Sequence, residues 1–225
     1  KEGYGKILAS LYEIRDILTE AISKKAPNFF RMGYYLTFSG KELPEMDVDA
    51  LTTRYTFENE KICLKVQFMT PLIPDNFYLL TRPVSYMCVS YEKKCDSVKS
   101  VKVRIMVGEN LCLDKAGQKP TVTEERRFDG VTAIKMGAEE QLPLNRSGDD
   151  LTIDWGYIYL ATVGNAVCDV AQERGKYITL TADLTANADR LFMFAYDDLG
   201  TSINYFGRTL KSYWNKDGKT IEEAI

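Results

Sequence analysis

Residues 6–22, "KILASLYEIRDILTEAI", set Ile7, Leu11, Ile14, Leu18 and Ile22 three or four positions apart, a spacing that predicts a helix with one apolar stripe. Such a stripe suits a helix packed on its own domain or serving as a linker, with a partner-binding or coiled-coil helix as the alternative. "KKAPNFF" interrupts the pattern, because Pro27 disfavours a continuing helix. From about Tyr34 the rhythm changes to period two. In "RYTFENEKICLKVQFMTP", Ile62, Leu64, Val66 and Phe68 alternate with Cys63, Lys65 and Gln67, and "ENE" supplies a turn before them. This reads as a hairpin with one buried face.

"RPVSYMCVSY" follows as a more continuously apolar strand, ended by the polar "EKKCDS". "SVKVRIMV" alternates again, with Val101, Val103, Ile105 and Val107 facing one way. Further strands are predicted at 121–127, 131–136, 152–163, 177–182 and 191–196, separated by turn-forming Gly, Asp and Asn. Many short strands with almost no helix between them predict an all-β protein: a large antiparallel β-sandwich, supersandwich-like, with a short N-terminal helix. The organisation read from this is a helix or linker at 1–30, the sandwich at 31–219, and the start of a truncated connecting helix at 220–225. In that last stretch, "TIEEAI", Thr220 and Glu223 have the spacing of a capping box. One isolated turn cannot offset the cost of helix nucleation, so the expectation is a frayed or loosely helical end.

Composition narrows the chemistry. The chain has 225 residues, 45% of them hydrophobic, enough to bury a sizeable core. Its 29 basic and 32 acidic residues form no block of like charge, so no nucleic-acid partner is indicated. No apolar run approaches the roughly 18 residues that span a bilayer as a helix. The first residues lack the continuous apolar stretch of a signal peptide. Five cysteines, with no C-x-x-C pair, argue against a zinc site and for mostly free thiols, one or two disulfides being the alternative. The chain contains no histidine, which excludes Ser–His–Asp and Cys–His catalysis within it and removes the commonest metal ligand.

Three groups of residues invite chemistry. "NRSGDDLTIDWG" gathers Asp149, Asp150 and Asp154, but with Asn145 as position one the EF-hand glycine position holds Asp150 and the final glutamate position holds Gly156. A hydrated turn leading into a strand is the plainer reading, and no metal site or cofactor is expected. "AYDDLG" places Asp197 beside Asp198 after an apolar strand. Neighbours on a strand point to opposite faces, so these two carboxylates do not converge on one substrate without a special turn. Autonomous carboxylate catalysis around Asp197 is therefore the weakest functional reading. "DWGYIYLATV" sets Trp155, Tyr157 and Tyr159 on one strand face, and "YFGRTLKSYW" adds Tyr205, Phe206, Tyr213 and Trp214. Such faces can stack on sugars or fill a core.

The segments "TTRYTFENEKICLKVQFMTPLIPDNFYLLTRPVSY", "GAEEQLPLNRSGDDLTIDWGYIYLA" and "FAYDDLGTSINYFGRTLKSYWNKDGKTI" resemble, in order and spacing, the N-terminal domain of glutaminase A-type proteins. The resemblance covers roughly residues 50–222 and rests on "RPVSY", "DWGY" and the "YDD…YFG…YW" series. It implies a β-rich domain preceding an α/α-toroid domain of the same polypeptide that carries most of the active site. The parent would be a hydrolase, a glutaminase by family label, and would be secreted, periplasmic or at the cell surface. This chain would be a non-catalytic domain that supports the helical partner and walls part of its cleft. Arg82, Asp154, Trp155, Tyr196, Asp197 and Asp198 would be structural or interdomain residues, with Arg82 or Asp198 approaching substrate in the intact protein. The alternative is a carbohydrate-binding module or accessory domain of a glycoside hydrolase-like enzyme, with a small-molecule or glycan ligand on exposed Trp and Tyr faces.

Overall fold

The period-two segments pair into two sheets that bury their alternate side chains against each other. A computed structural model describes residues 31–32, 45–115, 117–149, 151–173, 175–200 and 203–225. The helix expected at 6–22, the strands expected near Tyr34–Leu43, and Asp150 lie outside the described residues.

The smaller sheet has the order β1 (Arg31–Met32), β6 (Val101–Gly108), β11 (Lys176–Leu184), β10 (Val167–Gln172). The larger runs β2 (Glu45–Val48), β3 (Thr52–Glu58), β4 (Ile62–Met69), β5 (Val84–Lys93), β12 (Arg190–Asp197), β9 (Tyr157–Val163), β8 (Val131–Ala138), β7 (Thr121–Phe128). Every pairing in the larger sheet is antiparallel, and in the smaller one β1 runs parallel to β6. The protein is an all-β antiparallel sandwich. The hairpin read at "ENE" joins β3 to β4, and its turn has a local cause. The Asn59 side-chain oxygen accepts from the backbone N–H groups of Lys61 and Ile62, at 2.8 and 2.9 Å.

Between the sheets, Ile62, Leu64, Val66, Met87, Val89, Leu160 and Phe192 from the larger meet Val103, Ile105, Val107, Ile178 and Leu180 from the smaller. Each such fully buried side chain contributes roughly 1.5–3 kcal/mol. The larger sheet is buried on its other face too. There Val84, Ala133, Tyr159, Ala161, Met193 and Ala195 form a second cluster. Burial on both faces explains why β5, β8, β9 and β12 read as nearly continuous apolar runs, whereas β6 alternates cleanly.

The cover over this outer face is the C-terminal segment. It includes a small hairpin, β13 (Ile203–Tyr205) with β14 (Arg208–Leu210), then a 3-10 turn at Tyr213–Asn215 and a helical turn at Ile221–Ala224. Trp214, Ile221 and Ala224 belong to the outer cluster, so this segment is a strap on the sheet. The frayed end expected from the sequence is corrected here. Thr220 Oγ1 accepts from Glu223 N at 3.3 Å, Glu223 Oε2 accepts from Thr220 N at 2.7 Å, and Ile221 and Ala224 are 4% and 1% exposed. A single turn does not sustain itself, but tertiary burial supplies what helix propensity cannot.

The strand expected at 152–163 also needs correcting, since β9 begins only at Tyr157. Gly156 has φ +81, and a Cβ there would stand 2.2 Å from the Asp197 carbonyl oxygen. Only glycine allows both that backbone conformation and that approach. This kink takes Trp155 out of the alternation that would have aligned it with Tyr157 and Tyr159.

Candidate functional site

Strand register brings most of the sequence-selected residues to one end of the larger sheet. Val84 at the start of β5 pairs with Ala195, and Asp197 at the end of β12 pairs with Tyr157 at the start of β9. Arg82, Trp155, Tyr196, Asp197 and Asp198 therefore flank three adjacent strand ends. Their side chains do not form one constellation; they divide into three.

Asp154 is 1% exposed and lies in an ion cluster, with Lys119 Nζ at 2.9 Å and Arg146 Nη2 at 3.0 Å from its Oδ2. Those two cations occupy the carboxylate that a metal ion would need. Asp114 joins them through Arg146 at 3.4 Å and accepts from Thr152 N at 3.0 Å, so the cluster ties two long loops together. Beside it, the Tyr196 hydroxyl donates to the Trp155 carbonyl at 2.6 Å. Burial, then nearby Cys112 and Asp154, push the Tyr196 phenol well above its usual range. It acts as a fixed hydrogen-bond donor.

Arg82 follows the short helix Phe77–Thr81 and turns toward the strap. Its Nη1 donates to the Ala224 carbonyl at 3.0 Å, Nη2 donates to the Tyr86 hydroxyl, and the guanidinium lies over the Tyr78 and Tyr86 rings. These contacts satisfy the end of the terminal turn. Arg82 is a clamp on the strap.

Asp197 stands apart from both groups, on the outer face. It lines a cleft of about 410 Å³ between the sheet and the strap. The floor holds Tyr159 and Trp214; Arg126, Lys135 and Glu222 stand on the walls. Arg126 donates to Glu222 at 2.7 Å and to Glu124 at 2.8 Å, while Lys135 pairs with Glu124 at 2.9 Å. Desolvation raises the Asp197 carboxyl above the usual carboxylate range; the Leu199 N–H, at 2.9 Å, opposes that and neighbouring Asp198 adds to it. Burial, then the Asp197 and Glu222 charges, also raise the Tyr159 phenol. Asp198 accepts from Gly200 N at 3.0 Å. Both aspartates thus shape the turn after β12.

Sequence reasoning missed the cleft's basic wall and Asn215. One signal was present: Lys135 is the one charged residue in the largely apolar strand "VTAIKMGA". The aromatic residues divide sharply. Trp214 is 4% exposed, whereas Tyr205, Phe206, Tyr213 and Phe77 are all exposed. Among the described residues no group of three His, Cys, Asp or Glu side chains could hold a metal, and all five cysteines are free thiols.

A family model described as a domain of unknown function, DUF5127, matches residues 51–179. A search of curated proteins gives no match. Among solved structures, one titled "Putative kojibiose phosphorylase from human microbiome" is similar at 14% sequence identity and a TM-score of 0.34. The alignment covers 65% of this chain and 17% of that one, so this chain spans less than a fifth of that protein's length.

Proposed function

The chain belongs to the DUF5127 family of domains of unknown function, and we propose that it serves as the non-catalytic N-terminal β-sandwich domain of a larger glutaminase A-like hydrolase. In this role it supports a C-terminal α/α-toroid domain of the same polypeptide, and the strand ends around Asp197 wall one side of that domain's cleft. A secreted, periplasmic or cell-surface location belongs to the same proposal and rests on the family resemblance.

The observation that carries the reading is an apolar ridge along the strap. Phe206, at the tip of the β13–β14 hairpin, is 89% exposed, and Ile203, Tyr205 and Leu210 beside it are exposed as well. Phe77 and Tyr213, also exposed, meet edge to face at 5.8 Å. Apolar surface concentrated in this way suits a contact between domains better than contact with water. The engagement of Asp197 and Asp198 in local turns supports the non-catalytic part of the reading.

The sugar-sized cleft favours a second reading of the same architecture, an accessory domain of a glycoside hydrolase-like enzyme. A module that stacks sugars on Trp214 is disfavoured, because that ring is packed in the outer cluster. The test is direct: the purified chain should release no ammonia from L-glutamine above a blank. Turnover that disappears in Asp197→Asn and Asp198→Asn variants would overturn the proposal.

A further inference from the structure

The β13–β14 hairpin turns through a residue that the turn does not favour. Phe206 and Gly207 are its two central residues, with φ +46 and φ +75. Positive φ at both positions is the pattern of a type I′ turn, for which Asn-Gly is the preferred pair. Glycine adopts that backbone freely, whereas a bulky side chain such as Phe206 rarely does. Packing within this chain does not repay the strain. The Phe206 ring is almost wholly exposed and meets the ring of Tyr205, itself exposed, edge to face at 4.6 Å. Strain held at such a position points to a role outside the fold's own stability.

The strands of the hairpin point the same way. All six of their residues are exposed, and two strands alone are marginal in water. Register sets Ile203 opposite Leu210 and Tyr205 opposite Arg208, so these four side chains share one face, and Asn204 and Thr209 share the other. One face is thus apolar with a single cation, and the other is polar. Arg208 makes no hydrogen bond or ion pair among the described residues. Tyrosine and arginine are also residue types that anchor interfaces.

We infer that this hairpin is the anchor of the contact between domains: Phe206 fills an apolar pocket of the helical domain, and Arg208 meets a carboxylate at the rim of that pocket. The inference rests on the support role proposed above and adds the chemistry of the partner's surface. The face of Ile203, Tyr205, Arg208 and Leu210 lies against the helical domain, while Asn204 and Thr209 stay in water. A guanidinium–carboxylate pair supplies both charge and direction to such a contact. A second copy of this chain fits less well, because a twofold contact through this face brings two Arg208 cations into one interface. An anionic lipid surface is drawn by clusters of cations, and this face offers one.

The experiment is hydrogen exchange of residues 203–210 in this chain alone and in a longer polypeptide carrying the helical domain. It compares the parent with Phe206→Asn, Arg208→Glu and Thr209→Arg. Because asparagine suits the turn, Phe206→Asn in this chain alone leaves the hairpin exchanging no faster than the parent. In the longer polypeptide the parent hairpin exchanges slowly. Phe206→Asn and Arg208→Glu each speed it about tenfold or more, and Thr209→Arg leaves it slow. Slowing that survives both of the first two substitutions would overturn the inference and leave the support role standing. No slowing in the parent anywhere over 203–213 would overturn both. Loss of slowing in Phe206→Asn but not in Arg208→Glu would overturn the carboxylate. Two measurements on this chain alone test the other occupants. Dimerisation in sedimentation equilibrium, or cosedimentation with phosphatidylcholine–phosphatidylglycerol vesicles, would overturn the choice of partner if Phe206→Asn abolished it.

Discussion

At Asp197, burial and local hydrogen bonding act in opposite directions, and burial wins. The carboxyl is raised mainly by desolvation, with the Leu199 N–H as the chief opposing influence. A carboxyl whose folded pKa exceeds its unfolded one contributes stability that is complete below the unfolded pKa and is lost as pH rises through the folded one. At neutral pH the charge is therefore a cost to the fold. Asp197→Asn keeps the acceptor for Leu199 and removes the charge. The variant should be more stable than the parent at pH 7, with the advantage disappearing as pH falls through the carboxylate range; urea melts across pH will show it. Asp154 presents the opposite case. Its removal strands Lys119 and Arg146 beside each other, so Asp154→Ala should destabilise by about 2–3 kcal/mol, toward the low end for a broken buried pair because both cations keep some solvent. Chemical denaturation measures that loss.

Among the elements, the terminal turn gives the clearest separation of local from tertiary causes. Its capping box is legible in the sequence, because Thr220 and Glu223 are three apart and the motif needs only that spacing. Its stability is not legible, because the partners that bury Ile221 and Ala224 lie more than a hundred residues earlier in part, at Val84, or reach it only through the folded sheet, as Tyr159 does. The two contributions can be measured apart. Thr220→Ala should cost about 1 kcal/mol, the usual loss of an N-cap. Ile221→Ala should cost about 2–4 kcal/mol, as other large-to-small core substitutions do. If thermal melts show both to be near neutral, the turn is not docked as described. The same distinction explains β9. Period-two spacing from Thr152 onward looks continuous, but the close approach of Gly156 to the Asp197 backbone starts the strand five residues later. Backbone proximity between distant segments leaves no trace in periodicity.

For the molecule as a whole, the all-β class followed from alternation, and the two-sided burial of the larger sheet was foreshadowed by the continuous apolar run in β5. The cleft was not foreshadowed, because its walls come from the β7–β8 hairpin on one side and from β12 with the strap that follows it on the other, two parts separated by more than fifty residues. Asp197 ends β12 and Asp198 lies just beyond it, each accepting from a backbone N–H two residues on. The proposed support role rests on the apolar ridge of Ile203, Tyr205, Phe206, Leu210 and Tyr213. Phe206→Ser should change the stability of the isolated chain by less than about 0.5 kcal/mol, because so exposed a ring has little burial to lose. The most direct test of the proposed support role is hydrogen exchange of residues 203–213 in this chain alone and in a longer polypeptide carrying the helical domain that the proposal calls for. The account predicts marked slowing across that segment in the longer polypeptide, and equal exchange rates in the two would contradict it.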